Sequence, residues 1–512
     1  MPSDSNSADP REIELKFRVE PGRAEAVFAA VTGAEGRVRT LASTYYDTPS
    51  GALAKAGMAL RVRSDGQRFV QTLKTAAAAD GGMGRGEWEA ELSGPKPDLG
   101  KLKGTPAEKT LARSRKLEPL FAVEVERRDA VRALKGEAAV EAALDRGRVT
   151  AGERAEPLLE LELELKSGAA ADLLAFAAET RKAHGLALSF TTKAERGLAL
   201  RRRAATRAVK FRPPPIGEAM TAGAGFRVIA RACLEQVVSN AERLVETPGP
   251  EVIHQMRVGV RRLRSVISTF KAIVADRRVE AIKAELKWLT GELDQARNLD
   301  VLLAGAYRRA ARRKADPTGL ADLGRQLRLN RTSAYARARS AAESERFRAL
   351  AMDTLVWIEV GPWGARKAPG AKTRDRSLAD FADKALGKRR GKVLKGCKDL
   401  AALSPEARHH LRIEAKKLRY AADALAAISS KPKRVKTFIE TLRTLQDHLG
   451  DLNDIATGEK LARGLTAAAD IAGTTDWAAG RLIGGEAARE AALVEATVEA
   501  ARAFKAAKPF WG

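Results

Sequence analysis

The hydrophobic period of this chain changes once, and that change limits it to a strand-built part followed by a helix-built part. Up to about Leu200, apolar and polar residues alternate, as in Glu12-Ile13-Glu14-Leu15-Lys16-Phe17-Arg18 and Glu160-Leu161-Glu162-Leu163-Glu164-Leu165-Lys166. Side chains point to opposite faces at successive strand positions, so each run aims its charges one way and its apolar residues the other. Arg61–Arg63, Phe69–Lys74, Glu87–Leu92, Phe121–Arg127 and Pro157–Lys166 read as further strands, punctuated by Gly and Pro clusters such as Ser93-Gly94-Pro95. Glycines 81–86 lack the Lys-Ser/Thr ending of a phosphate loop and read as a hairpin turn. Two helices are expected among them, over Glu20–Val31 and over Ala169–His184 with Gly185 as its cap. Many antiparallel strands with few helices imply a sandwich or a barrel.

Pro213-Pro214-Pro215 can continue neither a helix nor a sheet interior. Beyond it the spacing predicts helices near 222–247, 252–275, 277–313, 319–345, 346–359, 376–395, 404–428, 432–464 and 482–508. At 512 residues the chain exceeds one ordinary core. The expected division is a disordered stretch 1–10, a strand domain 11–200, a linker 201–221 and a helical domain 222–512. The helical part repeats itself. His254-Gln255-Met256-Arg257 leads to Arg261-Arg262-Leu263-Arg264, and His409-His410-Leu411-Arg412 leads to Lys416-Lys417-Leu418-Arg419. Downstream, Leu286, Leu289 and Leu293 precede Arg297, Asn298 and Asp300, as Leu442, Leu445 and Leu449 precede Asp451, Asn453 and Asp454. Two helix bundles, about 222–375 and 376–512, arising by duplication are the natural reading.

Grouped carboxylates repel unless water or a cation lies among them. Glu12, Glu14, Glu160, Glu162 and Glu164 share strand faces with Lys16, Arg61, Arg63, Lys74 and Arg127 in the same part of the chain. A barrel with such an ionic inward face would hold a hard divalent cation, Mg2+ or Mn2+, together with a phosphate polyanion. The alternative is the wet face of an ordinary antiparallel sheet.

The helical part has its own signature. Of the net charge of +26, residues 1–205 carry about +4 and residues 206–512 about +22. At 100° per residue, His254, Arg257, Arg261 and Arg264 fall within roughly 80° of arc, and the stripe spans roughly 15 Å. His409, Arg412, Lys416 and Arg419 repeat it, with Arg262 and Lys417 beside the two stripes. An extended anion suits such a stripe better than a point anion. Nucleic acid is the weaker partner, because no stacking or recognition motif appears and aromatics make up only 5%. Cys233 and Cys397 imply neither a disulfide framework nor a zinc cluster. The polar N-terminus and the lack of a membrane-length apolar run set a cytoplasmic protein as the expectation.

These residues match known families. Residues 11–200 resemble the CYTH domain of the triphosphate tunnel metalloenzymes, through Glu12-x-Glu14-x-Lys16, Tyr46-Asp47-Thr48, Leu60-Arg61-Val62-Arg63, Thr72-Leu73-Lys74, Arg85-x-Glu87-x-Glu89, Arg127, Leu144-Asp145-x-Gly147, Glu160-x-Glu162-x-Glu164 and Lys193–Gly197. Residues 220–508 resemble the CHAD domain, through the duplicated His-basic motif. The resemblance implies a two-domain α+β protein: an eight-stranded antiparallel barrel forming a tunnel, then all-α duplicated bundles. It further implies metal ligation by Glu12, Glu14, Glu160 and Glu162, with Glu164 also in the metal set and Glu87, Glu89 and Asp145 as further candidates. Lys16, Arg61, Arg63, Lys74, Arg127 and Lys193 would contact phosphate, and Glu126-Arg127-Arg128 leaves a one-residue register choice in which the motif selects Arg127. The implied activity is that of bacterial CYTH-CHAD inorganic triphosphatases, with inorganic triphosphate as substrate and polyphosphate on the helical part, and association with polyphosphate granules would follow. A non-catalytic polyphosphate binder, and a CYTH enzyme acting on thiamine triphosphate or cyclising ATP, stay open.

Overall fold

The computed structural model describes residues 11–77, 82–112, 114, 116–202, 207–217, 219–312, 317–467 and 489–511. The expected disorder at 1–10, part of the hairpin at 81–86, part of the linker and the first turns of the helix expected at 482–508 lie outside the described residues. The chain divides into two units, Met1–Arg207 with Arg348–Gly361, and Ala208–Phe347 with Pro362–Gly512.

The first unit is built on one antiparallel sheet. Its segments are β1 (Arg11–Glu12), β2 (Glu14–Arg18), β3 (Arg37–Asp47), β4 (Met58–Ser64), β5 (Phe69–Ala77), β6 (Arg85–Leu92), β7 (Glu118–Ala133), β8 (Ala139–Ala151), β9 (Arg154–Ser167) and β10 (Ala187–Ser189). They are ordered β1-β6-β5-β4-β3-β7-β8-β9-β2-β10. The expected closed, eight-stranded barrel is corrected here. β1 and β2 are one run broken at Ile13, which makes nine strands, and the ladder is not closed. The break has a local cause: Arg11 and Glu12 pair with Gly86 and Arg85, whereas Glu14–Arg18 pair with Glu160–Glu164 at the opposite side of the sheet. The additional strand is the three-residue β10, which follows the Gly185 cap and pairs with Lys16–Arg18.

The strands at Arg37–Asp47 and Ala139–Ala151 escaped the sequence pattern. Each has only part of its length in strict alternation, and Ala142, Ala143 and Leu144 are buried consecutively. On the face opposite the charges, Leu15, Phe17, Leu161 and Leu163 are buried. The helices Ala24–Thr32 and Ala170–His184, packed on β8 and β9, add Val27, Phe28, Val31, Leu173 and Leu174 to the buried set. Burying such side chains contributes about 1.5–3 kcal/mol each. The charged face itself changes character along the strands. Beyond Arg127, Asp145 and Glu160 it becomes apolar, with Val125, Val123, Phe121, Val149 and Leu158 packed beside Leu200, Ala194 and Leu198 of the helix Lys193–Arg201. That helix approaches so closely that a Cβ at Gly197 would lie 2.1 Å from the Phe121 ring.

The second unit is helical. Its main helices are Ala222–Glu246, Pro250–Thr269, Arg277–Leu302, Pro317–Glu343, Leu378–Gly396, Pro405–Leu425, Pro432–Ala467 and Glu490–Ala506. The helix expected over 277–313 is interrupted by a π-helical turn at Leu303–Tyr307. The segment expected as a helix at 346–359 forms Glu345–Val360, and it is its residues from Arg348 onward that group with the strand unit. Both basic helices begin with proline in the first turn, where its missing N–H costs nothing. Each packs on the helix before it, the main helix after it and the other basic helix. Among the described residues no helix is long and apolar enough to cross a membrane.

Candidate functional site

The register of the strand unit brings its charges together. Lys16 lies opposite Glu162, Asp145 opposite both Glu160 and Arg127, and Lys74 opposite Glu87. Lys16 Nζ donates to Glu162 Oε1 at 2.7 Å and lies 3.4 Å from Glu14 and 3.8 Å from Glu160. Arg127 forks onto Asp145 with two 2.7 Å bonds and reaches Glu162 Oε2 at 2.5 Å. Lys193, the first residue of its helix, places Nζ 2.5 Å from Glu160 Oε1, 2.7 Å from Asp145 Oδ2 and 2.9 Å from Glu162 Oε1. Thr192 caps that helix by accepting from the Glu195 N–H, and Glu195 returns a bond to the Thr192 N–H, which fixes where Lys193 emerges.

A second group lies on neighbouring strands. Lys74 Nζ is 2.5 Å from Glu12 and 3.3 Å from Glu87, and Arg85 is 3.6 Å from Glu14. Arg61 and Arg63 stand 4.0 and 3.7 Å from Glu87 and Glu89. Arg61 Nε is buried without a hydrogen-bond partner, next to Tyr45. The Arg127–Arg128 choice resolves in the register: Arg127 meets Asp145, while Arg128 reaches Glu25 and the Glu35 carbonyl.

Electrostatics follow from this packing. Burial alone would raise the Asp145, Glu14 and Glu162 carboxyls. Lys193 and Arg127 instead hold Asp145 below its ordinary value, and Lys16, Lys193 and Arg127 hold Glu162 far below. Lys16, Lys74 and Arg85 bring Glu14 to about 2. Burial opposes the charged form of Lys16, Arg127 and Lys193 too, and the carboxylates overcome it in each. Glu12 behaves differently: burial and the nearby Glu14 raise it, against Lys74. Arg63 is lowered to about 10 by burial and by Arg61 and Arg127. Arg61, by contrast, is held above its ordinary value by Tyr45 and Glu87, so the unbalanced positive charge lies at Arg63 and the neutralised pairs at the Glu162 end.

Asp145, Glu160 and Glu162 offer three carboxylate oxygens within 4.8 Å of one another, a donor set suited to a hard cation. Among the metal candidates, Glu14 reaches this group through Lys16, Glu12 stands with Lys74 and Glu87, and Glu164 pairs with Lys166. Sequence reasoning placed Asp145 only among the further candidates, and it quoted Arg85 within Arg85-x-Glu87-x-Glu89 without giving it a role beside Glu14. The signal for Asp145 was its place in Leu144-Asp145-x-Gly147.

In the helical unit, the two basic stripes meet. Arg257 is 2.5 Å from Asp294, and Arg412 is 3.7 Å from Asp454. Arg257, Arg261, Arg412 and Lys416 act on one another across the packed pair of helices, with Arg297 also facing Arg257. Burial and then Arg412 and Arg261 push Lys416 down to about 6, against Asp454. Burial and Arg297 push His254 down to about 4, against Glu251. Other residues of the stripes lie elsewhere. Arg262 is buried, bonded to Gln236, with its guanidinium 4.0 Å over Phe211 and 5.2 Å from Tyr420. Arg419 is tied to Gln446 and Asp423, Lys417 to Glu414, His409 to Asn453, and Arg264 is exposed.

Comparison with known proteins places this geometry. The CYTH domain model matches residues 10–198 and the CHAD domain model residues 228–463. An inorganic triphosphatase of Haemophilus influenzae is 33% identical over 195 residues, 37% of this chain and 55% of that protein, so the match spans about half of the relative's length. A crystal structure of the CHAD domain from the plant Ricinus communis is 26% identical with a TM-score of 0.52, covering 59% of this chain and 99% of that one. PptA from Streptomyces chartreusis is 21% identical with a TM-score of 0.42, covering 55% of this chain and 99% of that one. The antiparallel tunnel with its ionic face and the helical unit with its paired basic helices are thus a CYTH domain followed by a CHAD domain.

Proposed function

We propose that the tunnel hydrolyses inorganic triphosphate to pyrophosphate and phosphate with Mg2+ or Mn2+, and that the helical unit binds longer polyphosphate. The observation that carries the reading is the cluster of Lys16, Arg127 and Lys193 on Asp145, Glu160 and Glu162, beside the guanidinium pair Arg61 and Arg63. Its similarity over the CYTH domain to a protein named as an inorganic triphosphatase supports the choice of substrate.

The donor set of Asp145, Glu160 and Glu162, with Glu14 beside it, fits a hard divalent cation. When bound, such an ion stabilises charge on phosphoryl oxygens and lowers the pKa of water. The chain's own residues do the rest. Arg63, crowded by Arg61 and Arg127, gains most from an incoming phosphate and would bind its far end together with Arg61. Lys16, Lys74, Arg127 and Lys193 can exchange carboxylate for phosphate oxygens, holding the phosphoryl chain in line for attack. Glu12, held toward its protonated form, would take part in proton handling at the attacking water. The site needs no covalent nucleophile.

Phosphate release from tripolyphosphate, measured on the full chain with Mg2+ or Mn2+, tests this. A folded protein that releases none under either ion overturns it. Competition by thiamine triphosphate or ATP reads out the other CYTH substrates. The crowding of Arg257, Arg261, Arg412 and Lys416 favours a second reading, a protein that only grips polyphosphate. Polymer retention without turnover would select it. Attachment to polyphosphate granules in the cytoplasm follows from either reading and is checked by imaging a tagged chain.

A further inference from the structure

We propose that the Lys193 ammonium is a built-in competitor of the divalent cation: it holds the Asp145–Glu160–Glu162 triad until the cation enters, and is then released toward the triphosphate. The inference rests on the reading of the tunnel as a metal-assisted phosphate site and deepens it.

The geometry is that of a filled cation site. An ammonium has three donors. Lys193 Nζ lies at 2.5, 2.7 and 2.9 Å from one oxygen each of Glu160, Asp145 and Glu162, the trio whose oxygens converge within 4.8 Å. A divalent cation would need the same lone pairs and would repel the ammonium, so the two cannot share the triad.

Of the three cations on the triad, Lys193 is the one built to leave. Arg127 grips both Asp145 oxygens and the far oxygen of Glu162 with a planar fork. Lys16 sits on β2 and also faces Glu14, so Glu162 keeps a partner after Lys193 departs. Lys193 stands at a helix start whose backbone is fixed by the Thr192–Glu195 cap and by the Gly197–Phe121 contact. Its flexible four-carbon stem can swing while the helix stays in place.

The charge balance gives the exchange a purpose. Three carboxylates face three cations, Lys16, Arg127 and Lys193. Replacing the ammonium with a divalent ion leaves one surplus positive charge at the triad and frees a second on Lys193. A polyanion meets both only after the ion has bound, so triphosphate binding follows metal binding.

The test is Mn2+ binding to the full chain without triphosphate, by calorimetry or by the electron-spin signal of free Mn2+. Lys193→Gln should bind Mn2+ about tenfold more tightly than the parent, because a competing buried charge is gone. Lys193→Arg, which keeps the charge, should bind no more tightly than the parent. Metal-loaded Lys193→Gln should hold a non-hydrolysable triphosphate more weakly than the metal-loaded parent. Unchanged or weaker Mn2+ affinity in Lys193→Gln, equal tightening in both variants, or no Mn2+ binding to any of the three overturns the inference. The parent gives an independent readout should the variants fail to fold: Mg2+ should shift the side-chain 15N resonance of the buried Lys193 ammonium, and an unmoved resonance at saturating Mg2+ overturns the inference. Phosphate release by a parent that fails these tests sinks the exchange and leaves the triphosphatase reading standing.

Discussion

The two units use the same side chains in opposite electrostatic states. In the tunnel, Lys16 and Lys193 are buried and Arg127 half-buried against carboxylates, and each holds its proton more firmly than in water. In the helical unit, Arg257, Arg412 and Lys416 are part-buried against one another, and each holds its proton less firmly. The tunnel is a balanced lattice in which cations must be prised from internal partners. In the helical cluster burial and like charge outweigh the nearby Asp294 and Asp454, so an outside anion would favour the charged forms. Counting charges by residue type cannot tell these apart; the nearest counter-ion can.

Glu162→Gln should give the largest effect. It removes an acceptor shared by Lys16, Arg127 and Lys193 and leaves buried cations uncompensated, which costs about 3–5 kcal/mol. Thermal melting should fall accordingly, and triphosphate hydrolysis should drop by about two orders of magnitude or more. Normal melting and turnover would show that the lattice is not balanced as described.

The double change Arg257→Ala with Arg412→Ala should behave in the contrary way. It relieves like-charge crowding, so folding should suffer far less than in Glu162→Gln. Polyphosphate binding should weaken, and the slope of log affinity against log salt should fall by about two. Triphosphate turnover should persist. Binding that is unaltered would move the polyanion surface away from these helices.

A smaller effect should appear with pH. Lys416 is depressed to about 6, so near neutrality it is mostly uncharged without a ligand. Because its folded value lies below its unfolded one, its contribution to stability is complete above the ordinary lysine range and is lost as pH falls through about 6. Bound polyanion favours the charged form, so affinity should rise as pH drops from about 8 toward 6. Lys416→Met should flatten that part of the profile in calorimetric titrations at fixed ionic strength. Arg264→Ala, at an exposed position, should change polyphosphate affinity by about twofold or less.

Much of the tunnel was legible because strand alternation is local. Glu12, Glu14, Lys16, Glu160 and Glu162 declared a charged face within two heptapeptides, and the alignment of Arg127 with Asp145 follows once strands pair. Lys193 and Asp145 are named through the family resemblance, and what alternation could not supply depends on partners remote in sequence. Lys193 belongs to a helix, so no strand pattern could show its ammonium among three carboxylates from two strands. Asp145 shares its strand face with Ala143, Gly147 and Val149 and acquires its place only through cross-strand neighbours. Arg262 was grouped with its basic neighbours although periodicity sets it beside their stripe, and Phe211 from the linker and Tyr420 from the second basic helix pack over its guanidinium. The strand count failed because three residues, Ala187–Ser189, are too short for alternation to mark a strand, and they become one only by pairing with Lys16–Arg18.

That division at Ile13 has a mechanical consequence. The residues on either side of it are claimed by strands from distant parts of the ladder, and its own carbonyl accepts the Leu165 N–H at 2.9 Å. A single peptide thus fixes how Glu12, held by β6, is offset from Glu14, held by β9. A substitution that disturbs either pairing at Ile13 would shift these two carboxylates against each other while leaving the apolar packing around Phe121 in place.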